Sequence, residues 1–567
     1  MELTLSNQQI KVWNMFCEGQ NIFMTGPGGC GKSLMIQLIN EYCSSININN
    51  DNSSSKNIHI CALTGCAANL LNCNAKTIHS WAGIGLGNQP IDFYYNKIKR
   101  NEIIRTRWQT IDVLVIDEIS MMSMYLFELL NDIAQYARKN KKPFGGIQLL
   151  FSGDFYQLPP VNPMGSNIDK SKFCFESKLW NDTFTPLNTV VMDKQFRQIN
   201  DDKYATILTQ IRNGNISKST YNTLTNEAAN YENKIANRHA EDADTSPTLL
   251  LPTKAKVNKH NALKLSKLPN KNHTTFSLQK YTDLPIIPAD FQENYKKIIN
   301  KPSDTEIDVE LSRIQTNLII DDNIQLTIGA QVMCTVNICA IDEITENAVS
   351  LFNGSQGVIT NIQQRKWSIK KKETKMCVLV RFKHGCVWIE PHVWQSETIP
   401  GIGIVGIPLI LSWAITIHKG QGMSLNECEI DIGNSIFERG QSYVALSRIR
   451  SLSGLYLREF NITKIQYDLK AQEYMKILMN SQTLYDKKPI CSSGLNTIIQ
   501  KLLNKRTLPT HTPIKQSVQK TELPVANAVI NTVPMATATA ILTAQPVVAT
   551  VLNETENSNV FGGFACS

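Results

Sequence analysis

Between an apolar run at Asn21–Thr25 and a helical pattern that starts at Lys32, the chain reads Gly26-Pro27-Gly28-Gly29-Cys30-Gly31-Lys32-Ser33. Few short stretches restrict a fold so strongly. Glycines at this spacing let backbone N–H groups close round phosphate oxygens, and the helix beginning there turns its positive end to the same anion. Such a turn needs a strand before it and a helix behind it. It therefore predicts an α/β fold with its crevice at the carboxyl ends of parallel strands. The Lys32 ammonium should reach the β and γ phosphates of a nucleotide, and the Ser33 hydroxyl should ligate Mg²⁺.

Further apolar runs fit that frame. Ile58–Leu63, Ile111–Ile116 and Ile147–Phe151 read as buried strands separated by helical patterns, as do Thr248–Leu251, Ile410–Thr416 and Cys428–Ile432 further on. Their span along the chain predicts two parallel sheets. Asp117 and Glu118 follow one of these runs directly. Acids at such a strand end face the phosphate crevice, so Asp117 should hold Mg²⁺ through water and Glu118 should polarise an attacking water as general base. Hydrolysis also needs a group that senses the γ-phosphate and cations that neutralise transition-state charge. Gln157, after a third strand, is in position to sense, and Arg197 and Arg448 are the candidate arginine fingers.

Composition bounds the rest. The 567 residues are enough for several domains, and 42% hydrophobic residues allow ordinary cores. A net charge of +8 permits a nucleic-acid partner without requiring one. The 14 cysteines contain no C-x-x-C pair and are expected to be reduced thiols without structural zinc. Residues 525–552 lack charge, but their prolines, asparagines and threonines argue against a membrane span. No secretory or Arg-rich leader is expected before Leu5. Asn47–Lys56 reads as a polar loop, and residues 326–405 as a small β-rich domain. Residues 471–506 read as a helical, basic extension, and 507–567 as a low-complexity tail expected to be disordered.

The motifs, taken in order, resemble a known family. They are Leu5–Gln9, the phosphate loop, Leu63–Ala68, Thr77–Ser80, Asp117–Met121, Gly153–Pro160, Gln195–Gln198, Ala414–Gly422 and Tyr443–Arg448. The set is similar to superfamily-one helicases of the 5′-to-3′ branch. The stretch Leu126–Gln148, with Gly329–Met333 and Asn353–Gly357, narrows the resemblance to the Pif family (petite integration frequency). RecD-type bacterial helicases share much of the set, but the Leu126–Gln148 stretch favours the Pif reading. The resemblance implies two RecA-like P-loop domains: residues 1–185, with a wedge insertion at about 83–108, and a second built from 186–325 and 406–470 around an SH3-like β-rich insertion.

It further implies that Gln9 reads the adenine edge, that ATP sits between the two domains, and that Thr64, His79, Pro159, His418 and Lys419 touch the DNA strand. The implied activity is an ATP-dependent 5′-to-3′ DNA helicase of genome maintenance (replication, recombination, repair, telomeres). It would act as a monomer on single-stranded and forked DNA inside the cell, in the nucleus if cellular and in the host cell if viral, with RNA–DNA hybrids or G-quadruplexes as further substrates. The alternative is an ATP-driven remodeller of protein–DNA complexes or hybrids. A silent DNA-binding scaffold is disfavoured by the intact Lys32, Asp117, Glu118 and Arg448.

Two clusters stay open at this level. Tyr94, Tyr95, Lys97, Lys99, Arg100, Arg105, Arg107 and Trp108 suit either a wedge at a duplex fork or a solvated basic loop over a packed Trp108. His384, Trp388, His392 and Trp394 could stack a base, although packed core residues are the simpler expectation.

Overall fold

A computed structural model describes residues 4–500, apart from short stretches, chiefly 49–55, 162–168, 239–244, 284–302, 483–486 and 491–494. The low-complexity tail, most of the polar loop after Asn47, and His384 lie outside the described residues.

The first sheet contains β1 (Ile22–Thr25), β2 (Ile58–Ala62), β3 (Lys76–Thr77), β4 (Val113–Asp117), β5 (Gln148–Gly153) and β6 (Thr189–Val191). Their order is β3-β2-β4-β5-β1-β6 and every pairing is parallel. A parallel sheet is covered on both faces, and β1 and β4 are accordingly buried along their whole length. Helix α1 (Asn7–Cys17) starts at a reciprocal cap in which Ser6 and Gln9 satisfy each other's backbone N–H. Helix α2 (Lys32–Ile48) starts inside the phosphate loop.

The second sheet holds Ala414–Thr416, Thr248–Leu251, Cys428–Ile432 and Leu455–Phe460, in that order and all parallel. Between its first and second strands in the chain lies a β-rich part. Its main sheet is antiparallel and runs Gly385–Ile389, Thr374–Phe382, Gln356–Lys366, Gln331–Cys334, Leu409–Leu411. A three-stranded sheet of His392–Gln395, Gly403–Gly406 and Gln279–Tyr281 flanks it.

Several details differ from the sequence reading. The apolar run 410–416 is two strands: Leu409–Leu411 pairs with Gln331–Cys334, and Ala414–Thr416 pairs with Thr248–Leu251. The run is mostly apolar because both sheets bury it, with Ser412 at the junction between the two strands. The β-rich part therefore extends past 326–405 on both sides. Residues 189–191 belong to the first sheet, because Val190 and Val191 continue its core beside Met24. The chain crosses to the second domain only after Met192. It later returns: helix Leu469–Asn480 packs on the first domain, where the Trp180 indole N–H donates to the Tyr474 hydroxyl at 2.7 Å and Phe175 stacks on Tyr474 at 4.4 Å. Leu495, Ile498 and Ile499 then join the core that holds Trp13 and Met35. The described parts of the helical, basic extension thus bury Ala471, Met475, Leu478, Leu495, Ile498 and Ile499, while much of the rest of it is exposed.

The insertion expected at about 83–108 is helical from Ile91 on. Its helices Ile91–Arg100 and Glu102–Thr110 pack on helix Met124–Arg138. Among the described residues eleven cysteines are free thiols, all buried except Cys17 and Cys73, whereas Cys339 is disulfide-bonded, against the expectation of reduced thiols. No helix among the described residues is long and apolar enough to cross a membrane.

Candidate nucleotide site and strand-binding surface

The strand register brings the motifs together before any side chain is considered. Thr25 of β1 pairs with Gly153 of β5, and Ala62 of β2 lies between Asp117 of β4 and Thr77 of β3. The phosphate loop, Asp117-Glu118, Thr64, His79 and the segment leading to Gln157 therefore all leave the same carboxyl edge of one sheet.

At that edge a cleft of about 660 Å³ is lined by Gly28, Lys32, Ser33, Asp117, Glu118, Gln157, Arg197 and Arg448, among others. Lys32 Nζ donates to the carbonyls of Gly26 (2.7 Å) and Pro27 (3.0 Å) and lies 3.5 Å from Cys30 Sγ, so its charge is held over the loop. Asp117 is buried, and burial raises its carboxyl pKa, with Lys32 opposing. Glu118 stands in the left-handed region (φ 57°), a conformation that a non-glycine residue holds only when its surroundings enforce it. Desolvation first, and Asp117 second, push its pKa up to about 7. Gln421, from the second domain, donates its amide to Glu118 Oε2 at 3.1 Å.

Both arginines face this loop. A Cβ on Gly28 would sit 3.4 Å from Arg197 Nη1 and 3.5 Å from Arg448 Nη2. Arg448 is buried and fixed by the Val444 carbonyl (2.8 Å) and the Ser447 hydroxyl (2.6 Å). Arg197 donates to the Ser447 carbonyl at 2.7 Å, while the Phe196 N–H next to it donates to Gly29 O at 2.9 Å. The segment carrying Arg197 is thus stitched to both domains rather than belonging to the second alone. Desolvation, and then the Arg448 charge, lower the Arg197 pKa to about 9, which leaves it cationic at neutral pH.

Buried polar atoms give an independent test of whether a nucleotide fits. Gln157 Oε1 and Gln9 Nε2 are buried without a hydrogen-bond partner, and the Gln9 amide packs directly on Gly31. Buried polar groups are normally satisfied, so Gln157, which lines the cleft, suits a polar ligand reaching into it, and Gln9 lies beside Gly31 of the loop. The Ser33 hydroxyl and Asp117 carboxylate, which line the same cleft, are the oxygen donors that a hard divalent cation prefers.

The sequence profile of the family described as PIF1-like helicase matches residues 4–222. The ATP-dependent DNA helicase RRM3 of Saccharomyces cerevisiae is 30% identical, over 84% of this chain and 68% of its own length. The chain belongs to the Pif1 family. ATP-dependent DNA helicase PIF1 of S. cerevisiae strain YJM789 is also 30% identical, over 85% of this chain, but this Pif1-family chain spans only 62% of that relative's length. The crystal structure of Pif1 helicase from Candida albicans superposes with a TM-score of 0.63 at 30% identity, covering 84% of this chain and all of that one. Bacteroides Pif1, at 24% identity and TM-score 0.60, shares the fold.

The residues that the Pif resemblance assigned to DNA fall into two groups. Thr64 caps helix Gly65–Leu71, accepting from the Ala67 N–H at 3.2 Å. Two residues on, the Cys66 thiol donates to the Lys419 carbonyl at 3.1 Å, so Thr64 and Lys419 are brought close across the domain boundary. His418 lies beside Lys419 and its Nε2 is 3.4 Å from Glu438. His79, in helix Ile78–Trp81, is held neutral because burial lowers its pKa to about 4, and Pro159 is half-buried after Leu158.

Of the insertion's residues, Tyr94 and Trp108 are core: Trp108 packs edge-on to Trp81 at 4.6 Å, and Tyr95 stacks on Tyr136 at 4.1 Å. Lys99 and Arg100 are exposed. In the β-rich part, His392 meets Trp394 edge-on at 4.8 Å and the Arg365 guanidinium covers Trp388 at 4.3 Å.

Sequence reasoning missed Gln421, Ser447, Tyr443, Asp154 and Arg212. Gln421, Ser447, Tyr443 and Asp154 sit inside motifs already marked, but nothing in a motif states which side chain crosses to the other domain.

Proposed function

We propose that this chain is an ATP-driven DNA helicase that moves 5′-to-3′ along single-stranded DNA and separates duplexes ahead of it. The observation that carries this reading is the composite cleft, in which guanidinium groups anchored on the second domain lie against the phosphate loop of the first. Relatives of this chain bear the name ATP-dependent DNA helicase, and that name supports the same reading.

In the proposed mechanism Lys32 draws the β and γ phosphates into the loop, and Gln9 reads the adenine edge. Ser33 and Asp117 would hold Mg²⁺, which would supply charge neutralisation at the phosphates. Glu118 orients and deprotonates the attacking water, with Gln421 fixing one carboxylate oxygen. Gln157 senses the γ-phosphate, and Arg197 and Arg448 neutralise the charge that builds on the transferred group. ATP favours the closed cleft and its hydrolysis releases it. Because Thr64 and Lys419 meet across the same boundary, closure also changes the spacing of the strand contacts, and alternating grip becomes stepping.

Duplexes with only a 5′ or only a 3′ single-stranded overhang, given ATP and Mg²⁺, test this directly. Unwinding is expected with the 5′ overhang alone. Lys32→Ala should lower DNA-stimulated ATP turnover at least about 100-fold. Turnover undiminished in that variant would refute the site.

A further inference from the structure

One buried polar chain crosses the domain boundary without belonging to the nucleotide machinery above. Arg212, on helix Asp202–Asn213, grips Asp154 through two bonds of 2.8 and 3.0 Å. Asp154 follows β5 directly and is 0% exposed, and Arg212 is 5% exposed. The Tyr156 ring covers the guanidinium at 4.4 Å. The same carboxylate accepts from the buried Tyr443 hydroxyl at 3.3 Å, and that hydroxyl accepts from the Gly28 N–H at 3.2 Å. The backbone makes a second tie here. Gly440 stands at φ +76°, and a Cβ on it would overlap the Gln157 carbonyl.

We infer that Tyr443 is a positioning residue. Its hydroxyl joins the phosphate loop at Gly28 to the Asp154–Arg212 pair, so that docking of the second domain sets the loop and the Gln157 segment together. The inference rests on reading the cleft as the ATP site. Three arguments support it. A buried ion pair with removed partners is costly, so Asp154 and Arg212 must stay together whenever this boundary is closed. Tyr443 lies on the short helix Gln441–Leu446, and Arg448 follows two residues beyond its end, so the hydroxyl and the finger move as one piece. Gly28 is also the glycine against which both fingers lie. The bond to Gly28 is therefore made only when the fingers are seated, and it orients a loop N–H at that moment.

Tyr443→Phe removes the hydroxyl and keeps the ring. Two measurements on the full chain test the inference. The first is hydrogen–deuterium exchange without nucleotide, in peptides covering residues 22–34 and 153–158. The second is steady-state ATP turnover with oligo-dT. Exchange should rise in both peptides of Tyr443→Phe, and kcat should fall about tenfold while KM for ATP changes less than about twofold. Asp154→Asn should lower kcat too, and the double variant should lose little beyond the worse single one, since one chain of contacts is broken in each. Unchanged exchange at residues 22–34, a wild-type kcat, or losses that multiply in the double variant would each overturn it. If exchange rises as expected but Lys32→Ala retains full turnover, the tie stands and the assignment of the ATP site fails.

Discussion

At Gly29 the backbone takes φ +87° and a Cβ would lie 2.5 Å from Arg197 Cβ, so two separate constraints demand glycine. Gly29→Ala should cost about 1–3 kcal/mol of stability and shift Arg197 off the loop. Turnover should fall at least about tenfold, a change equal to about 1.4 kcal/mol of barrier; wild-type turnover in this variant would mean that Arg197 is not needed there. His392 carries a different prediction. Burial holds its pKa near 4, below the ordinary 6.5, so the unfolded chain takes up a proton that the folded one refuses. Its contribution is intact above about pH 6.5 and is lost as pH falls toward 4. Between pH 7.5 and 5.5 the melting temperature of wild type should drop more than that of His392→Gln; equal drops would remove His392 as a cause. That Lys32, Asp117 and Glu118 would line one crevice was legible in the sequence because each is tied to a local pattern, a glycine-rich turn or a strand end. Arg212 was not, because its partner is 58 residues away and nothing local marks the pairing.

Elements were legible where one sheet decides their pattern. The runs at β1, β2, β4 and β5 were found within a residue or two, since each is buried on both faces. The run 410–416 misled because hydrophobicity reports burial and not which sheet does the burying. The insertion was left open between two readings, and its packed Trp108 fits one of them. Its aromatics suggest stacking faces, but Tyr94, Ile98, Ile104 and Trp108 all point into the first domain's core. Removing the whole insertion would damage that core, so Lys99→Ala with Arg100→Ala is the sharper probe of a wedge. That pair should reduce unwinding of forked DNA more than DNA-stimulated turnover, and equal loss of both would count against a wedge. The returning helix Leu469–Asn480 can be probed at one atom. Tyr474→Phe leaves the Trp180 indole N–H without its acceptor and should cost about 1–3 kcal/mol in urea denaturation.

Across the whole molecule, the second domain is an excursion from the first. The chain leaves after β6 and comes back through helix Leu469–Asn480, which packs beside that same strand. Residues 471–500 add Met475, Leu478, Leu495, Ile498 and Ile499 to buried cores, each worth about 1.5–3 kcal/mol. A chain ending at Asp468 should therefore melt well below the full chain, by more than Tyr474→Phe does; an equal melting temperature would show the extension to be dispensable. Outward and homeward connections also touch each other. Gly214 packs its bare backbone against the Tyr467 ring, and Gln472 donates to the Asn213 carbonyl at 3.1 Å. A lobe moored at one corner by two cables behaves like the arm of a nutcracker. Opening of the cleft is therefore expected to turn about that corner, where a small rotation is magnified at the far lip.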